Sequence, residues 1–172
     1  SDNSAKIVKA VSGYSNPPSK TPLQVQDRFH MGSITKTFTS ALIMQLDQEK
    51  ALSLNDPISK WIDYPNGEHI TISMLLGHTS GIPSFDDLPG HDRNNTPKES
   101  IRLAANHKAV FAPGSKWSYS NTNYTILSVI AEKVTKSSWA KLIEKRFFKP
   151  LNLTQTAVWT GSPIPASTTG SR

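Results

Sequence analysis

Cysteine is absent from this 172-residue sequence. That excludes a disulfide framework, a thiolate metal site and a cysteine nucleophile, and it leaves the redox compartment open. No stretch approaches the ~20 consecutive apolar residues that a membrane-spanning helix needs. No basic-then-apolar leader opens the chain, so any signal peptide is expected to be gone already. Metal-ligand spacing is lacking too. His30, His69, His78, His91 and His107 are scattered, without an HExxH pattern or a close pair. No metal and no cofactor are expected.

Concentrated charge is also missing. Nineteen Lys and Arg against thirteen Asp and Glu leave a net charge of +6, but no basic run exceeds Lys145-Arg146. There is no helix-turn-helix pairing and no glycine-flanked aromatic strand motif. The balance therefore reads as a generally basic surface, with no nucleic acid among the expected partners.

What is present suits a globular chain, at 36% apolar and 19% charged. A chain this size hides roughly 70% of its unfolded surface, enough for a real core. Residues 6–14 partly alternate and end in Gly13-Tyr14-Ser15-Asn16-Pro17-Pro18, a strand running into a turn. Residues 15–26 read as a polar loop with three prolines, and 27–31 as a short extended piece.

From Ser33 to about Lys50 the period changes. Ile34, Phe38, Ala41, Leu42 and Leu46 form one apolar stripe at helical spacing. A helical turn is expected over Ile58–Ile62 and a short helix over Thr71–Leu76, closed by Gly77. Residues 77–96 form a long, turn-rich loop of the kind that is usually functional or disordered. Thr96-Pro97-Lys98-Glu99 has the makings of a capping box opening a helix to about His107. Further helices are expected over 122–135, burying Ile126, Leu127, Ile130, Ala131 and Val134, and over about 138–148. The tail, 160–172, shows no periodicity.

The chemistry concentrates in two short patterns. In Ser33-Ile34-Thr35-Lys36, the serine stands in the first turn of a helix, near the positive end of its dipole. Lysine three residues on lies on the same face, one turn up. A serine hydroxyl needs such a neighbouring base to become a nucleophile, and first-turn N–H groups can stabilise an oxyanion. The same spacing recurs at Ser138–Lys141, beside Trp139 and Leu142, where an ordinary amphipathic helix explains it. Glycine before Ser33 would let the backbone come close.

Tyr119-Ser120-Asn121 is the second pattern. A tyrosine beside a lysine can shuttle a proton, and an asparagine amide can bind a substrate carbonyl. Tyr14-Ser15-Asn16 and Tyr64-Pro65-Asn66 match as well, but in turn-forming contexts. On these short patterns alone, a serine hydrolase and an ordinary helical protein both stand.

Longer segments add a resemblance. Residues 29–39 (FHMGSITKTFT), 75–83 (LLGHTSGIP) and 111–124 (FAPGSKWSYSNTNY) resemble, in order and spacing, the serine β-lactamase-like family. That family includes class C β-lactamases, D-alanyl-D-alanine carboxypeptidases (the penicillin-binding type) and related esterases. Leu52-Ser53-Leu54-Asn55-Asp56-Pro57 and Pro150-Leu151-Asn152-Leu153-Thr154-Gln155-Thr156 look like further landmarks, so nearly the whole chain is covered.

The resemblance implies an α/β (α+β) β-lactamase/transpeptidase-like fold. It implies Ser33 as acylated nucleophile, Lys36 as its base partner, Tyr119 as general base and acid, and Asn121 as substrate contact. His78-Thr79-Ser80-Gly81 would be a structural turn, with His78 open to a supporting role. Trp117 and Phe85 are candidates for the cleft wall, and more readily for core. The family's domain is longer, so residues 1–172 are expected to be its mainly helical part, with a few strands at the N-terminus. The preceding helix and strand, and the later sheet strand bearing Lys/His-Thr/Ser-Gly, would lie elsewhere, on a second chain or segment completing the fold. Thr168-Thr169-Gly170 comes too soon to be that motif. The implied function is a serine hydrolase acting through an acyl-enzyme on amide or ester carbonyls, on a small-molecule or peptide substrate. A D-alanyl-D-alanine carboxypeptidase type is favoured; an esterase, a β-lactamase or a non-catalytic penicillin-recognising member is the alternative. An extracytoplasmic location follows from the resemblance only.

Overall fold

The structure, a computed structural model, describes residues 8–159 and 168–169. The chain divides into one unit of Ser33–Thr154 and a second formed by Ser1–Gly32 with Gln155–Arg172. In the second unit, strand β1 (Tyr14–Asn16) pairs antiparallel with β2 (Thr21–Pro22). Strand β3 (Arg28–Phe29) pairs parallel with Thr168–Thr169. The expected strand over 6–14 is therefore displaced. Residues 8–13 are irregular, residues 6–7 lie outside the described set, and the strand begins where Gly13 (φ +94°) turns the chain. Residues 15–26, expected as loop, supply the hairpin: Pro17-Pro18 make its turn, closed by the Lys20 N–H on the Pro17 carbonyl at 3.2 Å.

The Ser33–Thr154 unit is helical. A 3-10 turn, Gly32–Ile34, leads into α1 (Thr35–Gln48). The buried face of α1 is Thr39, Leu42, Ile43 and Leu46. Ile34, expected in the stripe, is 64% exposed because it belongs to the tighter 3-10 turn and is out of phase with the helix. Helix α2 (Ile72–Leu76) starts where the Thr71 hydroxyl accepts the Met74 N–H and stops at Gly77. Helix α3 (Pro97–Ala105) opens with the full capping box of Thr96 and Glu99 and ends slightly before His107.

Helix α4 (Asn121–Thr135) is the centre of the unit and packs against α1, α2, α3 and the short helix α5 (Trp139–Ile143). Ile126, Leu127, Ile130 and Ala131 are fully buried there, while Val134 is only half-buried. Each such Ile or Leu contributes roughly 1.5–3 kcal/mol when taken out of water. The expected helix over 138–148 splits: α5 widens into a π-turn, Glu144–Phe148. That turn sets Phe147 and Phe148 edge-on to Phe38, at 5.9 and 5.3 Å. The remaining strand, β4, is Thr168–Thr169; the rest of the tail lies outside the described residues. Among the described residues, no helix is long and apolar enough to cross a membrane.

Candidate active site

The start of α1 and the start of α4 meet, and the four candidate residues meet with them. Ser33 stands on the 3-10 turn before α1. Gly32 ahead of it adopts φ +52°, with nothing within 4 Å of where a Cβ would be. The glycine thus serves the left-handed turn, not the close backbone approach expected from sequence. Lys36 follows one turn on and donates to Ser33 Oγ at 3.3 Å. Tyr119 arrives from the segment before α4, its hydroxyl 2.7 Å from Ser33 Oγ. Asn121, the first residue of α4, accepts from Lys36 Nζ through Oδ1 at 2.6 Å. All four sequence candidates are thus in one hydrogen-bonded chain.

Two further residues complete it. Asp86, on a 3-10 turn (Phe85–Asp87) of the long loop, accepts from Asn121 Nδ2 at 2.8 Å and from Ser84 Oγ at 2.5 Å. The Ser84 hydroxyl in turn accepts the Asn121 backbone N–H at 2.8 Å. This replaces a cap that α4 lacks, since the Ser120 side chain makes no capping bond. Thr122, fully buried, ties the same loop down: its hydroxyl donates to the Pro83 carbonyl and accepts the Phe85 N–H. Sequence reasoning marked the loop by its length but missed Ser84 and Asp86. A serine and an acid two apart, directly after His78–Pro83, are the signal that was available.

Below the site, the Tyr124 hydroxyl of α4 donates to the Leu76 carbonyl (3.2 Å) and accepts from the Ser40 hydroxyl (3.0 Å), joining α1, α2 and α4. Lys36 Nζ lies over two aromatic faces, 4.9 Å from the Tyr119 ring centroid and 5.5 Å from that of Tyr124. His78 lies against both rings. Trp117 is 65% exposed and Phe85 half-buried, so the core reading of Trp117 gives way to a surface one. Elsewhere, the Ser138 hydroxyl is spent as N-cap of α5, accepting the Lys141 N–H. Tyr14-Ser15-Asn16, set aside as a turn, is β1.

The electrostatics match the geometry. Burial works to raise the Tyr119 pKa, but Lys36 and the Ser33 hydroxyl favour the phenolate more, and the value falls below the usual 10. Burial likewise opposes Asp86 ionisation, yet the Ser84 and Asn121 bonds hold its carboxyl below the ordinary range. Among the described residues, no group of His, Asp and Glu is arranged to hold a metal ion. Chemically, the arrangement offers a hydroxyl, a proton acceptor of lowered pKa in contact with it, and a fixed cation beside both.

Comparison with known proteins points one way. The family model described as Beta-lactamase matches residues 1–172. Protein flp of Staphylococcus aureus (strain COL) is 36% identical over 155 residues, which is 84% of this chain and 31% of that one. Penicillin-binding protein 4* of Bacillus subtilis (strain 168) is 32% identical over 158 residues, 86% of this chain and 34% of that one. The chain thus spans about a third of the length of these curated relatives. In structure it resembles the D-amino acid amidase of Ochrobactrum anthropi SV3, with TM-score 0.74 and 30% identity, over 82% of this chain and 40% of that one.

Proposed function

The chain belongs to the Beta-lactamase family, a fold of serine-hydrolase type, and from that premise we propose that it carries the nucleophile of an acyl-transferring serine hydrolase. In this reading its activity is of the penicillin-binding, D-alanyl-D-alanine carboxypeptidase type. The single observation that supports it is Ser33 Oγ, 2.7 Å from Tyr119 OH and 3.3 Å from Lys36 Nζ.

Lys36 occupies Ser33 Oγ as a donor, so the serine's own proton is free to point at Tyr119. As Oγ bonds to the substrate carbonyl carbon, that proton passes to the phenolate oxygen of Tyr119. Collapse of the tetrahedral intermediate breaks the bond to the amine or alcohol, which takes the proton from Tyr119. Water then attacks the acyl-Ser33 carbonyl, gives a proton to Tyr119, and the proton returns to Ser33 Oγ as the acid departs. Lys36, donating to Ser33 Oγ, stabilises the phenolate and the developing alkoxide. First-turn N–H groups of the Gly32–Ile34 turn and α1 favour the oxyanion. Asn121 holds Lys36 by Oδ1 and keeps one of its two amide hydrogens for a substrate carbonyl, the other being taken by Asp86.

Substrate class follows the relatives. One is named for penicillin binding and one for D-amino acid amide hydrolysis. Acyl donors built from D-amino acids, amide or ester, are therefore the proposed substrates, with the rest of the cleft supplied by a further segment or chain. An extracytoplasmic site of action rests on the same kinship. Intact-mass spectrometry of the purified protein, before and after incubation with a penicillin, tests the reading. A penicillin-sized adduct on the peptide holding Ser33 is expected. An adduct elsewhere, or none together with no hydrolysis of D-aminoacyl esters, overturns it.

A further inference from the structure

His78 sits outside the proton path just described, yet it touches the path at three points. It adopts φ +57°, a left-handed conformation rare for a residue with a Cβ, directly after the helix-ending Gly77. That conformation turns its carbonyl and its ring towards the same stretch of chain. The carbonyl accepts the Ser118 N–H at 3.0 Å, and ring Nδ1 accepts the Ser120 N–H at 3.2 Å. In an extended segment the N–H groups of residues i and i+2 leave by the same edge. One residue, through backbone and ring, thus does the work of two acceptors on a partner strand, on either side of Tyr119. The ring itself lies 4.7 Å from the Tyr119 ring, tilted by 32°.

We propose that His78 is a positioning residue for Tyr119: its neutral imidazole grips the Ser118–Ser120 segment and so aims the Tyr119 hydroxyl at Ser33, and protonation releases that grip. The inference rests on the reading of Ser33 and Tyr119 as the reacting pair.

The chemistry of the ring gives the direction. A backbone N–H can only donate, so Nδ1 facing Ser120 carries no proton and Nε2 does. In imidazolium both nitrogens are donors. The Nδ1 proton would then face the Ser120 N–H and the Asn123 amide nitrogen, 3.4 Å away. The titratable and charged groups around the ring are Lys36 from α1, Tyr119 from the gripped segment and Tyr124 from α4. Among these Lys36 supplies like charge. Burial first, and the Lys36 charge second, hold the His78 pKa below its usual 6.5. Such a group adds stability that is full above 6.5 and is lost as pH falls through the folded value. The release is an acid-side event.

Two variants separate ring from backbone. His78→Gly removes the imidazole without asking a Cβ to hold a positive φ. His78→Asn keeps the left-handed preference and puts a non-titrating carbonyl oxygen close to where Nδ1 was. In the intact protein, acylation of Ser33 by a penicillin is followed from pH 4 to 9. For His78→Gly the maximal acylation rate should fall about tenfold or more, with the half-saturating concentration changed less than about twofold. His78→Asn should recover most of that loss and lack the part of the parent's acid-side fall that tracks His78 protonation, while keeping the rise that ionisation of Tyr119 gives. NMR of the parent gives a second readout that needs no turnover: the His78 ring and the Ser120 amide should titrate with one midpoint, below 6.5. An unchanged acid-side profile in His78→Asn, with the step that tracks His78 protonation still present, or a Ser120 amide indifferent to His78 protonation, overturns the proposal. Failure of the parent to acylate at all refutes the hydrolase reading instead, and the NMR titration then decides the positioning role alone.

Discussion

Asp86 decides which end of the Asn121 side chain faces Lys36. A carboxylate can only accept and an ammonium can only donate. With Asp86 on the amide nitrogen at 2.8 Å, the amide oxygen is left for Lys36 at 2.6 Å. The orientation of Asn121 follows from its two charged neighbours and needs no further assumption.

Asp86→Ala leaves the amide free to turn, and a turned amide would present N–H groups to an ammonium. The expected result is an acylation rate about tenfold lower, the scale of one lost charge-assisted hydrogen bond at a partly solvated position. Asp86→Asn, which can still accept, should lose less. Steady-state kinetics on a chromogenic ester measures both. The carboxyl titrates below 3.8, so its contribution to stability is present above that value and is lost as pH falls through the folded one. Thermal melts of Asp86→Asn should accordingly be flatter than the parent's at the acid end.

Ser33→Ala should abolish covalent labelling by penicillin or by a phosphonate. The residue is exposed at the surface of the turn, so the melting temperature should move by no more than about 2 °C. Labelling at the parental rate would remove Ser33 from the mechanism.

Tyr119→Phe keeps the ring against His78 and removes the hydroxyl. Acylation should slow by about 10²-fold or more, the usual scale for a lost general base. The parent's rate should rise with pH to a plateau whose midpoint lies below 10, because the tyrosine's own value is lowered. In the variant that rise should vanish. A loss of less than twofold would transfer the base role to Lys36.

Gly81→Ala tests the turn beneath the site. Gly81 has φ +76°, and a Cβ there would stand 2.1 Å from the Phe111 carbonyl oxygen. Backbone strain and the clash together should cost at least about 2 kcal/mol, read as a lower urea midpoint with unchanged slope. An unaltered midpoint would mean that the 78–81 turn is looser than it looks.

Much of this site is legible from sequence because its first step is local. Ser33 and Lys36 are three apart at the head of a periodic segment, and helix geometry alone brings them together. The limits of α2 and α3 are legible for the same reason: Thr71, Gly77 and the Thr96–Glu99 pair act on their own turns. What periodicity does not carry is contact across the chain. Asp86 reaches Asn121 over 35 residues and His78 reaches Ser120 over 42, and neither interval has a repeat to betray it. Ile34 departs from the apolar stripe because a 3-10 turn breaks the phase that helical spacing assumes. The β1–β2 hairpin is not legible in the sequence because its strands are three and two residues long, too short to show alternation.

The clamp at the head of α4 has a consequence for how the long loop can vary. Ser84 and Asp86 bind Asn121, and Pro83 and Phe85 bind Thr122. Residues 83–86 therefore have a fixed length: one residue inserted or deleted there would draw the carboxylate off the amide. Beyond Asp87 the chain is mostly exposed until the Thr96 cap. That stretch can lengthen or shorten at small entropic cost. An engineer, or natural selection, could graft new sequence into it and leave the reacting groups in register.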